Sequence, residues 1–346
     1  MRSSTSSSET GGVAPRLADG RLVSGGWGGV LAVAAALSLL VLGAWEGSWR
    51  RRGVAPSLTD LEDSWNVVRD GVGRDSVVLV GTSKMQSALD PRLLGGALGR
   101  EPALQLALID RSPVPVLEEL ARDVAFAGTA VIDVAPRIVF DAEGEREATA
   151  EAVLDAYRVY LESPGERLGA RLGMLAESSL TLRRPALSLR RLVEWPLTGQ
   201  ALRPPFARVR RDRFRELDFS RLDLASRRRS QATIAARVGR PLTEEEMAVL
   251  AARVVRAAGA IRERGGAVVL AMLPVSGRAR LEEEGRFPRS SYWDELVGAT
   301  GLPSIHFADH PPLAAFDCAD GVHLDTATAH AFTLAFAEIL APHLPI

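Results

Sequence analysis

A serine near residue 80 and an aspartate/histidine pair near residue 320 have the residue types of a nucleophilic site. The stretch VVLVGTSKMQSALD (77–90) starts as a buried strand and ends in a turn that carries Ser83. Near the carboxyl terminus, CADGVHLD (318–325) places Asp320 three residues before His323. A serine hydroxyl is a poor nucleophile until a base takes its proton. A carboxylate that holds one imidazole nitrogen leaves the other nitrogen free for that task. The pattern therefore predicts Ser83 as nucleophile, His323 as base and Asp320 as the residue that orients the base.

Ser83 alone has a second interpretation, because a serine that closes a strand is more often the N-cap of the next helix. The Asp320/His323 pair favours the nucleophile. All five histidines follow residue 305, so a histidine base must come from that end of the chain. Lys84, the only lysine, is expected to be an exposed neighbour rather than a catalytic partner, because adjacent side chains do not readily face each other.

The elements that must position these residues form an α/β pattern. Runs that are apolar on both faces alternate with helical segments, which indicates a parallel sheet covered on both sides. Helices are predicted over 113–126, over 243–266 with a Thr243/Glu246 capping box, and over 325–344 with Asp325 or Thr326 as cap. The predicted strands of the sheet are 76–83, 104–110, 129–136, 266–274 and 303–309.

Ligands of an open parallel sheet bind beyond the carboxyl ends of its strands, so polar residues at those ends are candidates for the site. A metal site is disfavoured: His306 and His310 are four residues apart, but the segment follows a strand and runs into Pro311. We expect no cofactor. The polar residues after the strands, besides Ser83, are Asp110, Arg111, Ser112, Arg137, Ser276, Arg278, Asp309 and His310.

Gly-x-Ser after the first strand (VGTSKM) and Asp-x-x-His before the last helix resemble the SGNH/GDSL hydrolase superfamily. The pattern is most similar to its membrane-anchored branch, related to the proteins that O-acetylate alginate and other envelope polysaccharides. The similarity covers 75–140 and 264–342. It implies a flavodoxin-like three-layer sandwich with a five-stranded parallel sheet, and the Ser83, His323 and Asp320 triad.

The chain departs from that family at the oxyanion hole. Members usually take donors from the N–H of the serine, from a glycine N–H after the second strand and from an asparagine after the third. Here the only asparagine is Asn66, before the first strand, and IDRSP (109–113) takes the glycine position. Loss of one donor typically costs about 2.7–4 kcal/mol of transition-state stabilisation. The candidate oxyanion or substrate contacts are Asp110, Arg111, Ser112 and Arg137.

The amino-terminal part predicts a membrane anchor. A Ser/Gly-rich stretch over 1–25 reads as a disordered tail. It precedes WGGVLAVAAALSLLVLGAW (27–45), which has no charge and a tryptophan at each end. We expect a transmembrane helix over 26–46, followed by a juxtamembrane linker over 47–74. A cleaved signal peptide is the alternative, but the apolar run is longer than usual and no clear cleavage site follows.

The predicted location is the cell inner or plasma membrane, with a single pass. The arginines at 50–52 outnumber Arg16 and Arg21 on the other side of the span, which favours a cytoplasmic carboxyl domain. The resemblance implies an extracytoplasmic domain, and we follow it because the charge bias is small.

Residues 142–240 predict a helical insertion between the third and fourth strands of the 75–346 domain. Its 181–240 part has 16 arginines against five acidic residues. A solvated helical face and contact with anionic lipid are both compatible with the interspersed apolar residues. Nucleic acid is not expected as a partner, since no binding motif is recognised.

Together the patterns predict a membrane-anchored O-acyltransferase or acylesterase that acts on a cell-envelope glycan. Its partners would be the lipid bilayer, a polysaccharide acceptor and a membrane-bound acyltransferase. The alternative is a catalytically silent scaffold of the same fold. Because Cys318 is the single cysteine, an intrachain disulfide is excluded.

Overall fold

The computed structural model describes residues 27–59, 61–100, 103–184, 187, 205–235 and 239–345. The predicted tail over 1–25 and residue 26 of the predicted span lie outside these residues. So do 185–186, 188–204 and 236–238 of the predicted insertion. The chain divides into two compact units, Met1–Ser48 and Trp49–Ile346, which are described separately.

The second unit is built on a five-stranded parallel sheet in the order β2-β1-β3-β6-β7. Val78 in β1 pairs with Leu104 on one side and Ala130 on the other, so β1 lies inside the sheet. The predicted α/β class and five parallel strands are confirmed. In chain order the strands are β1 (Val77–Val80), β2 (Ala103–Gln105), β3 (Thr129–Asp133), β4 (Ala207–Val209), β5 (Arg215–Leu217), β6 (Ala267–Met272) and β7 (Ser304–His306).

Helices occupy most of the connections between strands. They are α1 (Trp27–Arg51), α2 (Leu61–Asp70), α3 (Ser83–Ala88), α4 (Pro91–Leu98), α5 (Val114–Arg122), α6 (Pro136–Val139), α7 (Glu145–Glu162), α8 (Pro164–Ser179), α9 (Leu224–Ala235), α10 (Glu244–Glu263), α11 (Gly277–Arg286), α12 (Trp293–Thr300), α13 (Pro311–Ala314) and α14 (Thr326–Leu340). Short 3-10 turns cover Thr181–Arg183, Phe219–Arg221, Arg289–Ser291, Phe307–Asp309 and Ala341–His343.

The predicted helix starts are confirmed where capping residues were recognised. Thr243 and Glu246 form a reciprocal capping box at the start of α10. Asp325, rather than Thr326, caps α14 by accepting a hydrogen bond from the Thr328 N–H at 2.9 Å.

The chain between β3 and β6 contains α6 to α9 and also the antiparallel pair β4 and β5, which a purely helical interpretation did not include. Arg213, between these two strands, is buried. It donates to the Gln105 carbonyl at 3.1 Å and to the Ala107 carbonyl at 2.8 Å. This arginine therefore ties the segment to the end of β2.

Other arginines of the same segment also have structural contacts. Arg184 is buried and donates to the Ala55 carbonyl at 2.8 Å. Arg210 makes a bidentate contact with buried Asp90, both distances being 2.8 Å. For these two side chains the interpretation as a solvated arginine face is wrong, because each guanidinium donates to an acceptor in a distant part of the chain.

The first unit contains most of α1, and the side chains of residues 27–44 are exposed. Its most apolar 18-residue window has a mean hydropathy of 2.1, and α1 is long enough to cross a membrane. Residues from Trp49 onward belong to the second unit. Trp65 of α2 is fully buried and donates to the Leu106 carbonyl at 2.8 Å. Much of the segment expected to be a linker is therefore part of the folded core.

Candidate active site

Ser83 lies at the carboxyl end of β1, as the first residue of α3. Thr82 is the N-cap of this helix: its hydroxyl accepts a hydrogen bond from the Lys84 N–H at 3.2 Å. The same hydroxyl donates to Asp133 Oδ2 at 2.8 Å. The capping interpretation of Ser83 is therefore wrong. Because Thr82 does the capping, the Ser83 hydroxyl is available for other contacts.

The structure brings Ser83, His323 and Asp320 together in one hydrogen-bonded relay. Ser83 Oγ lies 3.0 Å from His323 Nε2, and His323 Nδ1 lies 3.0 Å from Asp320 Oδ2. A carboxylate can only accept from the imidazole, so the network assigns the proton to Nδ1. Nε2 then accepts from the serine hydroxyl. This is the geometry in which a neutral histidine can remove the proton of Ser83.

Asp320 is buried and accepts hydrogen bonds on both oxygens. Its Oδ1 accepts from the backbone N–H groups of Val322 at 3.0 Å and His323 at 2.8 Å, which fixes the turn that carries the histidine. Its Oδ2, besides facing the imidazole, accepts from Arg227 Nε at 3.1 Å and from Gln231 Nε2 at 3.2 Å. These two residues lie one helical turn apart on α9.

Sequence reasoning missed Arg227 and Gln231. Arg227 is one of three consecutive arginines, and composition does not distinguish it from its neighbours. The following arginine, Arg228, is exposed and donates to the Ala319 carbonyl instead. Only the packing of α9 against the 318–325 loop selects the arginine that reaches the aspartate.

The environment shifts the pKa values of both relay partners. Burial raises the pKa of Asp320, but the contacts with His323 and with two backbone N–H groups outweigh it and leave the pKa well below its usual value. Burial lowers the pKa of His323, Asp320 opposes this, and the charges of Arg215 and Arg227 lower it further. The net direction for His323 is downward, so it is neutral at neutral pH and can act as a base.

A pocket of about 110 Å³ opens beside Ser83 and His323. Of the four candidate oxyanion or substrate residues, Asp110 and Arg137 line it. Arg111 instead lines a separate pocket and pairs with Glu62 at 3.0 Å. Ser112 is buried and accepts a hydrogen bond from the Val114 N–H at 3.3 Å. The expectation that Arg111 and Ser112 contribute to the site therefore lacks support from their placement.

Two backbone N–H groups around this pocket, those of Ser83 and Asp110, have no hydrogen-bond partner in the part of the chain that the structure describes. Ser83 is the first residue of a helix, where the N–H lacks an intrahelical acceptor. Asp110 has a φ of 55°, in the left-handed region that favours glycine but that aspartate also visits. Its carboxylate is held by Arg146, which also lines the pocket, at 3.2 Å.

The Arg137 side chain is held by two groups of α11. It donates to the Ala279 carbonyl at 3.3 Å, and its Nε lies 3.6 Å from a carboxylate oxygen of buried Glu283. Both partners line the same pocket as Arg137. The wall of the pocket therefore carries the positive charge of Arg137, which the carboxylate of Glu283 partly neutralises.

Lys84 is buried, so its prediction as an exposed neighbour is wrong. Lys84 lines the pocket beside Ser83, and its charge acts on Asp133 at the end of β3. There, burial raises the pKa of Asp133 and the nearby Lys84 charge opposes that shift. Among the described residues, neither Lys84 Nζ nor Asp133 Oδ1 has a hydrogen-bond partner. Lys84 thus belongs to a polar cluster under the turn that presents Ser83.

The remaining strand-end residues lie outside the lining of this pocket. Asp309 makes a bidentate contact with Arg289, which also binds Asp294 at the start of α12 at 3.0 Å. His306 Nδ1 accepts from the Ala308 N–H at 3.1 Å. Within the described ranges, no group of three or more histidine, cysteine or acidic side chains is arranged to hold a metal ion. Ser276, Arg278 and His310 are likewise outside the pocket lining.

Comparison with known proteins finds no matching family model and no matching curated protein.

Proposed function

We propose that the chain is a membrane-anchored enzyme of the SGNH type, an O-acyltransferase or acylesterase that acts on a cell-envelope glycan. The observation that carries the proposal is the Ser83–His323–Asp320 relay. Ser83 Oγ lies 3.0 Å from His323 Nε2, although the two residues are 240 positions apart, and His323 Nδ1 lies 3.0 Å from Asp320 Oδ2. A relay with these roles activates a serine for acyl transfer.

The strand order supports a flavodoxin-like three-layer fold. Numbered along the chain, the parallel strands lie in the order 2-1-3-4-5, which is the order of flavodoxin-like proteins. Two groups of helices pack among themselves: α3 and α4 with α14, and α5 and α12 with α10. We assign these groups to opposite faces of the sheet, and the 142–240 segment to an insertion in the crossover between β3 and β6.

In the proposed reaction, Ser83 Oγ attacks the carbonyl carbon of an acyl ester while His323 Nε2 takes the hydroxyl proton. The tetrahedral intermediate collapses, the leaving alcohol receives that proton, and the acyl group stays on Ser83. A second hydroxyl, from a sugar or from water, then gives its proton to His323 and attacks the acyl-serine. As the bond between the acyl carbon and Ser83 Oγ breaks, His323 returns its proton to Oγ and the free serine is regenerated. The acyl group leaves as a new ester when the acceptor is a sugar and as the free acid when the acceptor is water.

The oxyanion would be held without the asparagine that the family commonly uses. We assign its donors to the unpaired N–H groups of Ser83 and Asp110, since both residues line the pocket. The left-handed Asp110 takes the place at which the resemblance expects glycine. The Arg137 guanidinium on the pocket wall is the further candidate, because it presents several fixed donors.

The pocket favours a small acyl group such as acetyl. Its volume of about 110 Å³ is below the roughly 300–1,000 Å³ typical of sites for drug-sized ligands. The polysaccharide acceptor and a membrane-bound acyltransferase that supplies the acyl group would approach from outside the pocket. We place the domain on the extracytoplasmic side of the inner or plasma membrane, anchored by α1.

Labelling with a fluorophosphonate tests the nucleophile. The full chain in detergent should be labelled covalently, and Ser83→Ala should abolish labelling. Ser290→Ala, a matched change at an exposed serine outside the pocket lining, should leave labelling unchanged. Equal labelling of wild type and Ser83→Ala would disprove the proposal.

The silent scaffold remains the second candidate because the chain lacks the asparagine donor. It predicts a folded protein that the fluorophosphonate does not label, so the same experiment separates the two candidates.

A further inference from the structure

Helix α8 has an apolar side chain stripe on each of two opposite faces. The inner face buries Ala170 and Met174. The outer face carries Leu168, Leu172 and Leu175, whose side chains are 60%, 55% and 46% exposed. Spacings of four and three residues place these leucines on one face of the helix. A surface helix normally presents polar side chains on its outer face, whereas the outer face of α8 carries apolar ones.

The exposed apolar side chains concentrate around α8. Of the twelve large apolar residues that are exposed after Ser48 in the described part, seven fall between 159 and 182. Leu180 and Leu182, directly after α8, are exposed as well. Scattered exposed leucines are ordinary, but a concentrated patch marks a surface that contacts a partner or a membrane.

The carboxyl end of α8 is fixed to the chain that follows the apolar part of α1. Arg50 donates to the Ser179 carbonyl at 2.6 Å. Thr59 donates to the Glu177 carboxylate from its N–H at 2.7 Å and from its hydroxyl at 2.6 Å. Arg50 follows Trp45, the tryptophan that ends the uncharged stretch, by about 7.5 Å of helix. This end of α8 is therefore bonded to a residue only five positions after the end of the uncharged stretch.

Cationic side chains flank the leucines. Arg171, on α8, and Arg183, just after it, are exposed, and so are the three arginines at 50–52. Arg171 contacts Asp70 and Arg183 lies near Glu177, yet more than half of each side chain is exposed. Arginines beside an apolar helix face are the arrangement by which interfacial helices bind membranes with anionic headgroups.

We propose that the outer face of α8, defined by Leu168, Leu172 and Leu175, lies on an anionic lipid surface as an interfacial helix. This contact would give the domain a second attachment besides α1 and would fix its rotation relative to the membrane. The inference does not depend on catalysis at Ser83.

Fluorescence quenching by lipid tests the contact in the full chain. Leu172→Cys and the control Leu281→Cys each provide one accessible thiol for a fluorescent label, since Cys318 is buried. Leu281 is a matched control because it is a 71% exposed leucine on α11. In vesicles of equimolar phosphatidylcholine and phosphatidylglycerol, nitroxide lipids should quench the label at 172 several-fold more strongly than the label at 281.

Equal quenching at the two positions would overturn the proposal. So would a disulfide-linked dimer of unlabelled Leu172→Cys together with absent lipid quenching, because α8 would then face a second copy. Vesicles of phosphatidylcholine alone should reduce quenching at 172, and undiminished quenching would contradict the role of the arginines. Fluorophosphonate labelling of the same variants reports on Ser83 separately, so failure of either proposal is recognised independently.

Discussion

At the scale of single residues, the aspartate of the relay has three side chain donors on one carboxylate oxygen. Asp320 Oδ2 accepts from His323 and also from Arg227 and Gln231. A cation on this carboxylate offsets part of the negative charge that would stabilise an imidazolium, and it lowers the pKa of His323. Arg227 thus acts on the base through Asp320, as a positioning residue, and makes His323 neutral over a wider pH range.

Arg227→Met should therefore raise the pKa of His323. A histidine base works only when neutral, so the acidic limb of the rate against pH should move to higher pH. The measurement is the rate of fluorophosphonate labelling as a function of pH, which needs no natural substrate. Arg228→Met is the matched control and should leave the profile in place, since Arg228 donates to the Ala319 carbonyl and not to the Asp320 carboxylate among the described residues. An unshifted profile for Arg227→Met would contradict this coupling.

At the scale of elements, the site depends on Gly81 and Thr82, the two residues between β1 and α3, which we call the joint. Gly81 packs so closely there that a Cβ would lie 2.5 Å from the Asp133 Cβ. The Thr82 hydroxyl then links Asp133 of β3 to the first turn of α3. The position of Ser83 is therefore set by the packing of Gly81 and the hydrogen bonds of Thr82. Buried Lys84 follows Ser83 directly.

Thr82→Val keeps the side chain shape and removes both hydrogen bonds. It should destabilise the fold by about 1–3 kcal/mol, because a helix loses its cap and a buried carboxyl loses its donor. Urea unfolding measures the change. In Thr328→Val, the hydroxyl removed has no hydrogen-bond partner among the described residues, and the cost should stay within about 0.5 kcal/mol. Similar stabilities for the two variants would show that the joint does not hold the turn.

At the scale of the whole molecule, the fold separates an apolar helix from a compact α/β unit. Unit two begins at Trp49, and α2 packs its buried Trp65 against the end of β2. The most apolar 18-residue window of α1 has no buried side chain in the part of the chain that the structure describes. A helix of this length and hydropathy can cross a bilayer, and we propose that α1 anchors the protein in this way.

Deletion of residues 1–46 should therefore convert the protein from an integral to a soluble or peripherally bound form. The full chain should stay with membranes after alkaline carbonate extraction, whereas the truncated chain should be released. Circular dichroism should show that the truncated chain keeps its α/β signal. Retention of the truncated chain after extraction would contradict anchoring by α1.

The fold was largely predictable because its signals are local. Each strand of the parallel sheet is a short apolar run, and α10 and α14 begin at recognisable caps, so the fold class and the five strands of that sheet followed from patterns of a few residues. The β4 and β5 pair was missed because its strands are three residues long and rich in arginine. The buried positions of Lys84, Arg184 and Arg213 were missed because charge predicts exposure unless acceptors from other segments are known.

By itself, the sequence determined the residue types of the relay, the apolar amino-terminal helix and the apolar runs that form the strands of the sheet, since these depend on neighbours in the chain. Only the tertiary structure decided that Thr82 is the cap and that Ser83 meets His323. It also decided that Asp110 and Arg137, but not Arg111 or Ser112, reach the pocket. These outcomes depend on distances of about 3 Å between segments far apart in sequence, which only packing around the sheet can set.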